Sequence, residues 1–212
     1  MEARVVRDAV EAARSPIEVI SIGVGPERAA ETITRVLYGL RVERALITGV
    51  CGLLTQRVHP GEALLYNGVR TATDPTSETD LRLTTTVGSL LPRAKSGVRA
   101  LSWSSVVTSA QEKGQLAGRY DADAVDMESY AALSVLRRAG IATAVLRVGS
   151  DGAGDDLPEV NEALVDGVLD GRRLAWQMLR SPRAATNMAW HGLHAILRLK
   201  RAIARIARGR SS

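Results

Sequence analysis

Short apolar runs that stop at glycine, each followed by a longer amphipathic stretch, recur along this chain and limit its fold more than any single residue does. Residues 17–22 read as a strand that ends in Gly23-Val24-Gly25. Pro26 then opens a helix with acid in its first turn, a favourable start. Ala29, Ile33, Val36 and Leu40 share one face of that helix. Residues 44–49 form a second strand, breaking into the small-residue turn Gly49-Val50-Cys51-Gly52. After the Pro60-Gly61 turn come strands at 63–66 and 98–107, a helix at 112–120 and a short extended piece at 122–125. A helix over about 127–139, a strand over 142–148 and a last helix over about 159–179 complete the pattern. Such alternation predicts an α/β domain with a mostly parallel or mixed sheet.

Composition narrows the partners. With 45% hydrophobic and 24% charged residues over 212 positions, the chain can bury a substantial core. No apolar run reaches the ~18–20 residues that cross a bilayer, and the N-terminus lacks a signal-peptide core. The default compartment is the cytoplasm, in keeping with a single cysteine, Cys51. Scarce aromatics, with no Phe, speak against nucleic-acid binding on stacking platforms. The net charge of +5 is a property of the tail. From residue 181 on there are seven basic and no acidic residues, leaving 21 basic against 23 acidic before it.

In α/β folds the working groups sit at the carboxyl ends of strands. Gly23-Val24-Gly25 lacks the third glycine of a dinucleotide fingerprint and has no P-loop lysine after it, so by itself it is a tight turn. Cys51 reads as a buried inert thiol. His59, His191 and His194 form no metal constellation, and no metal or cofactor is expected. Asp151, between Ser150 and Gly152 at a strand end, is either a pocket carboxylate or a turn residue. Asp126 and Glu128 either serve a site or favour a helix dipole.

Order and company resolve these pairs. Ala124-Val125-Asp126-Met127-Glu128-Ser129-Tyr130-Ala131, followed about twenty residues later by Leu146-Arg147-Val148-Gly149-Ser150-Asp151, resembles the purine nucleoside phosphorylase/nucleosidase superfamily. The glycine turn at Gly23-Val24-Gly25, Thr48-Gly49-Val50-Cys51-Gly52-Leu53, Val58-His59-Pro60-Gly61-Glu62 and Lys113 match in order over most of residues 17–165. Within that superfamily Asp126-Met127-Glu128-Ser129, Leu157-Pro158 and the basic extension resemble the hopanoid-associated phosphorylases, the group linked to adenosylhopane.

The resemblance implies a nucleoside phosphorylase-like α/β catalytic domain over residues 1–182, with a central mixed sheet flanked by helices, and cleavage of a purine N-glycosidic bond. It assigns Asp151 as the acid at the purine N7 with Ser150 orienting it, Glu128 and Met127 to the ribose, and Val107 to the base edge through its backbone. Gly25 and Gly49 mark the turns on the phosphate or water side. Met1-Glu2-Ala3-Arg4 resembles the family's Glu-Ala-Arg helix start, which makes Glu2 the water-positioning catalytic acid. The family strand before it is missing here, from a misplaced start or a shortened chain. At the family's phosphate-site Arg and Ser stand Ile47 and Val50, so hydrolysis is favoured over phosphorolysis. The expected activity is release of adenine from adenosylhopane by a homo-oligomer. Phosphorolytic or methylthioadenosine-type cleavage, and a non-catalytic nucleoside- or lipid-binding remnant, are the alternatives.

Residues 183–212 read as a basic amphipathic helix starting near Ala185. Met188, Gly192, Ile196, Leu199, Ile203 and Ile206 lie on one side, with His191, His194, Arg198, Arg201, Arg205 and Arg208 opposite. Such a helix suits a membrane surface, here the inner face, or packs on the body or a partner subunit; contact with nucleic acid is a minor option.

Overall fold

The computed structural model describes residues 2–158, 160–165, 168–169 and 182–209. Six strands form one mixed sheet: β1 (Arg44–Leu53), β2 (Ala63–Arg70), β3 (Ser77–Glu78), β4 (Lys95–Ser102), β5 (Ala124–Asp126) and β6 (Ala142–Asp151). Their order is β3-β2-β4-β5-β1-β6, and a further β2–β6 pairing closes the sheet on itself. β1 and β6 run parallel from Arg44 beside Ala142 to Cys51 beside Gly149.

Among the described residues six helices cover this sheet: α1 (Glu2–Ala12), α2 (Pro26–Gly39), α3 (Leu81–Leu90), α4 (Ala110–Tyr120), α5 (Ser129–Arg138) and α6 (Pro182–Gly209). Alternate residues of β6 serve opposite layers. Ala144, Leu146 and Val148 pack with Val6 and Val10 of α1, Val87 of α3 and Leu199 and Ile203 of α6. Val145 packs with Ile33 of α2 and Leu133 and Leu136 of α5. A strand covered on both faces reads as a nearly continuous apolar run, so a charged residue inside it, Arg147, stands out. A third cluster joins Leu116 and Tyr120 of α4 to Leu101, Val107 and Val125.

Helix starts follow local chemistry. The Asp80 side chain accepts from the Leu83 amide at the start of α3, and Ser109 accepts from that of Glu112 at the start of α4. Gly25 precedes α2 at φ +93°, a conformation that favours glycine.

Several expectations are corrected. Residues 17–22 form no strand, although Ile17, Val19 and Ile22 are half-buried. Ile17 and Val19 pack against the α1–α6 layer and Ile22 against the α2–α5 layer. The apolar run records burial, which packing satisfies without a ladder. β1 does not break at Gly49 but runs on to Leu53, with an irregularity between Cys51 and Gly52, because β6 offers a pairing partner along its length. β4 ends at Ser102, leaving Val107 in a buried loop. In place of a helix after residue 159 there is a short 3-10 turn, Val160–Ala163, and a hairpin of β7 (Leu164–Val165) and β8 (Val168–Leu169). Asp166-Gly167, which lies outside the described residues, is a dipeptide whose composition disfavours a continuous helix. Residues 170–179 of the expected helix lie outside the described ones.

The tail helix exists and turns its expected side inward: Leu199, Ile203 and Ile206 are buried and Met188, Gly192 and Ile196 half-buried, with Arg198, Arg201, Arg205 and Arg208 exposed. Ala195, Leu199, Ala202, Ile203, Ile206 and Ala207 are buried against the body, whereas Trp190, Leu193 and Leu197 face outward. Small alanines allow close approach to α1 and β6. Because Leu199 is fully buried in this layer, Leu199→Ala should cost about 2–5 kcal/mol of stability. Urea unfolding would show this as a lower midpoint with an unchanged slope.

Candidate active site

Two polar clusters flank the Gly49–Gly52 stretch of β1. The first is built around Arg147, buried on β6 and pointing to the α5 side. Its Nε lies 3.2 Å from Asp126 Oδ2, and its Nη2 lies 3.5 Å from Glu128 Oε2. It also donates to Ser129 Oγ through Nε (3.2 Å) and Nη2 (2.9 Å) and to the Val50 carbonyl through Nη1 (3.4 Å). Burial works against the guanidinium charge, but Asp126, Glu128 and Glu2 more than offset it and hold its pKa above the usual value.

Asp126 organises this cluster from the end of β5. Its Oδ1 accepts from the Ser102 hydroxyl (2.9 Å) and from the amides of Ser129 (2.9 Å) and Glu128 (3.2 Å). One carboxylate thus caps α5, fixes the Met127-Glu128 corner and anchors Arg147. Glu128 Oε1 accepts from the Gly25 amide at 3.0 Å, which ties the α5 start to the α2 start. Burial raises the Glu128 pKa above the ordinary 4.5; Arg147 and the Gly25 amide oppose the rise, and Asp126 and Glu2 add to it. Met127 is half-buried at the same corner.

Glu2 comes to this cluster from the first turn of α1. A side chain at Gly49 would place its Cβ 2.7 Å from Glu2 Oε2 and in collision with Arg147 Nη1. Gly49 is therefore required for a close approach of two charged side chains, not for a turn. Structure thus brings Glu2, Gly25, Gly49 and Glu128 together.

The second cluster surrounds Asp151, the last residue of β6. Ser150 Oγ lies 2.6 Å from Asp151 Oδ1 and 3.0 Å from the Cys51 carbonyl. Lys113 of α4, fully buried, donates to Asp151 Oδ2 at 2.6 Å and to the carbonyls of Gly152 and Asp155 at 2.9 Å each. Cys51 sits between the clusters and feels Arg147, Asp126 and Asp151. Its own thiol is pushed up to about 12, chiefly by burial, which suits the inert reading. Val107 belongs to the α4 cluster instead. Its loop is held by Asn161, whose side chain accepts from the Val106 amide (2.9 Å) and donates to the Val106 carbonyl (2.7 Å).

Sequence reasoning did not assign Arg147, Asp126 or Lys113 a role. A lone arginine inside the apolar run of residues 142–148 was the legible signal for the first. Removing Arg147 would strand three acids in a buried corner. Arg147→Met should destabilise the fold by about 3–5 kcal/mol. Guanidinium denaturation at two pH values tests the cause: the deficit should shrink at acid pH, where the stranded carboxylates are neutralised.

Solved structures share this architecture. Helicobacter pylori 5′-methylthioadenosine/S-adenosylhomocysteine nucleosidase, complexed with a substituted pyrrolidin-3-ol, aligns with TM-score 0.69 and 16% identity over 94% of this chain and 92% of its own. Futalosine hydrolase of the same organism aligns with TM-score 0.69 and 16% identity over 96% and 93%. The Streptococcus pneumoniae methylthioadenosine/adenosylhomocysteine nucleosidase, bound to a transition-state inhibitor, gives 0.67 and 13% over 89% and 79%. At these identities the likeness is one of fold. No protein of curated function matches the chain in sequence. The phosphorylase superfamily pattern, however, matches residues 9–180, from α1 to beyond the hairpin. The chain belongs to the phosphorylase superfamily.

Proposed function

We propose that the protein hydrolyses the N-glycosidic bond of a purine nucleoside. The observation that carries this reading is the charge around Arg147: Asp126, Glu128 and Glu2 converge on one guanidinium. Such a corner repels a phosphate dianion and favours a sugar that turns cationic as the base departs. Ile47 and Val50 add no donor that could reverse this balance, being an apolar core residue and a half-buried one packed toward α1 and α6.

In this reaction Glu128 receives the ribose hydroxyls, with Met127 packed against the sugar. Glu2 takes a proton from the attacking water. Asp151, oriented by Ser150, gives a proton to N7 as the C1′–N9 bond breaks, a contribution of ~10²–10⁴ in rate for a general acid. The Val107 backbone meets the base edge, and Gly25 and Gly49 keep the water side open. Residues 1–182 supply the reacting groups. Incubation with a purine nucleoside should yield free base and free ribosyl sugar whether or not phosphate is present. A ribose 1-phosphate product would establish phosphorolysis, and no turnover would favour a nucleoside-binding remnant.

Adenosylhopane is the proposed substrate, with adenine as its product; support comes from Asp126-Met127-Glu128-Ser129, Leu157-Pro158 and the basic tail. No helix among the described residues is long and apolar enough to cross a membrane. Contact with a membrane's inner face would use the outward Trp190, Leu193 and Leu197 with Arg198 and Arg201, since the other side of α6 is occupied by the body. A homo-oligomer is proposed on the strongly exposed Tyr38 and Leu81.

A protonated Glu128 accepts poorly from two hydroxyls. Because burial raises its pKa above 4.5, KM for the nucleoside should climb on acidification at a pH above that at which an ordinary glutamate titrates. The Glu128→Gln variant should bind weakly throughout and lose this acid limb.

A further inference from the structure

We propose that Lys113 is a positioning residue that acts through Asp151: its ammonium holds the carboxylate left behind when Asp151 protonates the departing base, and so selectively speeds reactions whose leaving group needs that proton. The inference rests on the hydrolase reading above and deepens it.

Geometry carries it. Lys113 has no exposed surface, and each of its three N–H bonds has an acceptor: Asp151 Oδ2, the Gly152 carbonyl and the Asp155 carbonyl. An ammonium has three donors and no acceptor, so this cage saturates it. Burying a lysine is costly unless it is fully paired, and a loop could be stitched to α4 without one. That stitching is already present: the Leu157 amide donates to the Thr108 carbonyl at 2.7 Å, and the Ala110 amide donates to Asp156 Oδ1 at 2.8 Å. The charge is therefore surplus to holding the loop and is aimed at the acid.

The two oxygens of Asp151 have separate duties. Oδ2 faces Lys113, whereas Oδ1 faces Ser150 Oγ, whose single proton can go either to Oδ1 or to the Cys51 carbonyl. When Asp151 carries a proton on Oδ1, Ser150 turns its own to Cys51 and accepts, and Oδ2 still accepts from Lys113. During cleavage the C1′–N9 electron pair goes to the purine, the Asp151 O–H bond breaks and N7–H forms. Water adds to C1′ and gives its proton to Glu2. Asp151 is then a carboxylate whose counter-charge is already in place, with no reorganisation needed. Solvent returns the proton from Glu2 to Asp151 after product release.

The test compares adenosine with p-nitrophenyl β-D-ribofuranoside, whose phenolate leaves without a proton, in the full chain and its Lys113→Met, Lys113→Arg and Asp151→Asn variants. The readout is the ratio of kcat for the two substrates, which does not depend on how much of a variant is folded. Lys113→Met should lower the adenosine-to-nitrophenyl ratio by about 10²-fold, the lower end of what a general acid contributes, as Asp151→Asn also should. Lys113→Arg, which keeps the cation, should hold the ratio within a few-fold of the unaltered protein. If Lys113→Met leaves the ratio unchanged, whether both activities fall together or neither falls, Lys113 only packs the loop and the proposal is overturned. If the unaltered protein cleaves neither substrate, the hydrolase reading fails and takes this one with it. That failure is distinct because it appears before any variant is made.

Discussion

The buried guanidinium of Arg147 sets the terms for the rest of this molecule. It sits in the middle of a strand covered on both faces, where a charge survives only if opposite charges and hydrogen bonds surround it. Meeting that demand draws in four elements: Asp126 from β5, Glu128 and Ser129 from the α5 start, Glu2 from α1 and the Val50 carbonyl from β1. The polar corner that results is both the electrostatic anchor of the sheet's carboxyl end and the place where a cationic sugar would be stabilised. Its stability and its chemistry cannot be altered independently.

The second cluster is organised on the same principle with the signs exchanged. Asp151 is a carboxylate at the strand terminus, and the buried counter-charge, Lys113, comes from a helix. The stretch of β1 from Gly49 to Gly52 separates the two corners and belongs to both. Gly49 leaves room for Glu2 and Arg147, while a Cβ at Gly52 would stand 3.3 Å from Asp151 Oδ2. Small residues in this stretch are explained by what approaches them, whereas local propensity suggested a turn. The acidic corner around Arg147 and the carboxylate–ammonium pair of Asp151 and Lys113 are thereby placed on either side of one strand, the arrangement that the proposed cleavage would use.

The path of the chain was legible where burial and periodicity agreed. α2, α5 and β6 carry spacing that matches their covered faces, and their expected spans differ from the observed ones by a few residues. The reading failed where a pattern reports burial and says nothing of pairing, as at residues 17–22, or where a partner strand overrides glycine, as in β1. In α6 the inner face through Leu199, Ile203 and Ile206 was legible from spacing, whereas the burial of Ala195, Ala202 and Ala207 beside it follows from close packing against the body. Asp151 and Glu128 could be picked out from their motifs. Lys113 and Arg147 needed the fold, since neither reaches its partners through the chain: Arg147 is 21 positions from Asp126, and Lys113 is 38 from Asp151.

Sequence by itself determined the α/β class, the superfamily and the identity of the two carboxylates at strand and helix ends, because these depend on local order: an apolar run, a glycine, an acid at a set interval. Tertiary structure alone decided which charges face one another. Coulomb attraction and burial act across space, so the convergence of Asp126, Glu128 and Glu2 on Arg147, and of Lys113 on Asp151, exists only once the closed sheet brings β1, β5, β6 and the starts of three helices to one end.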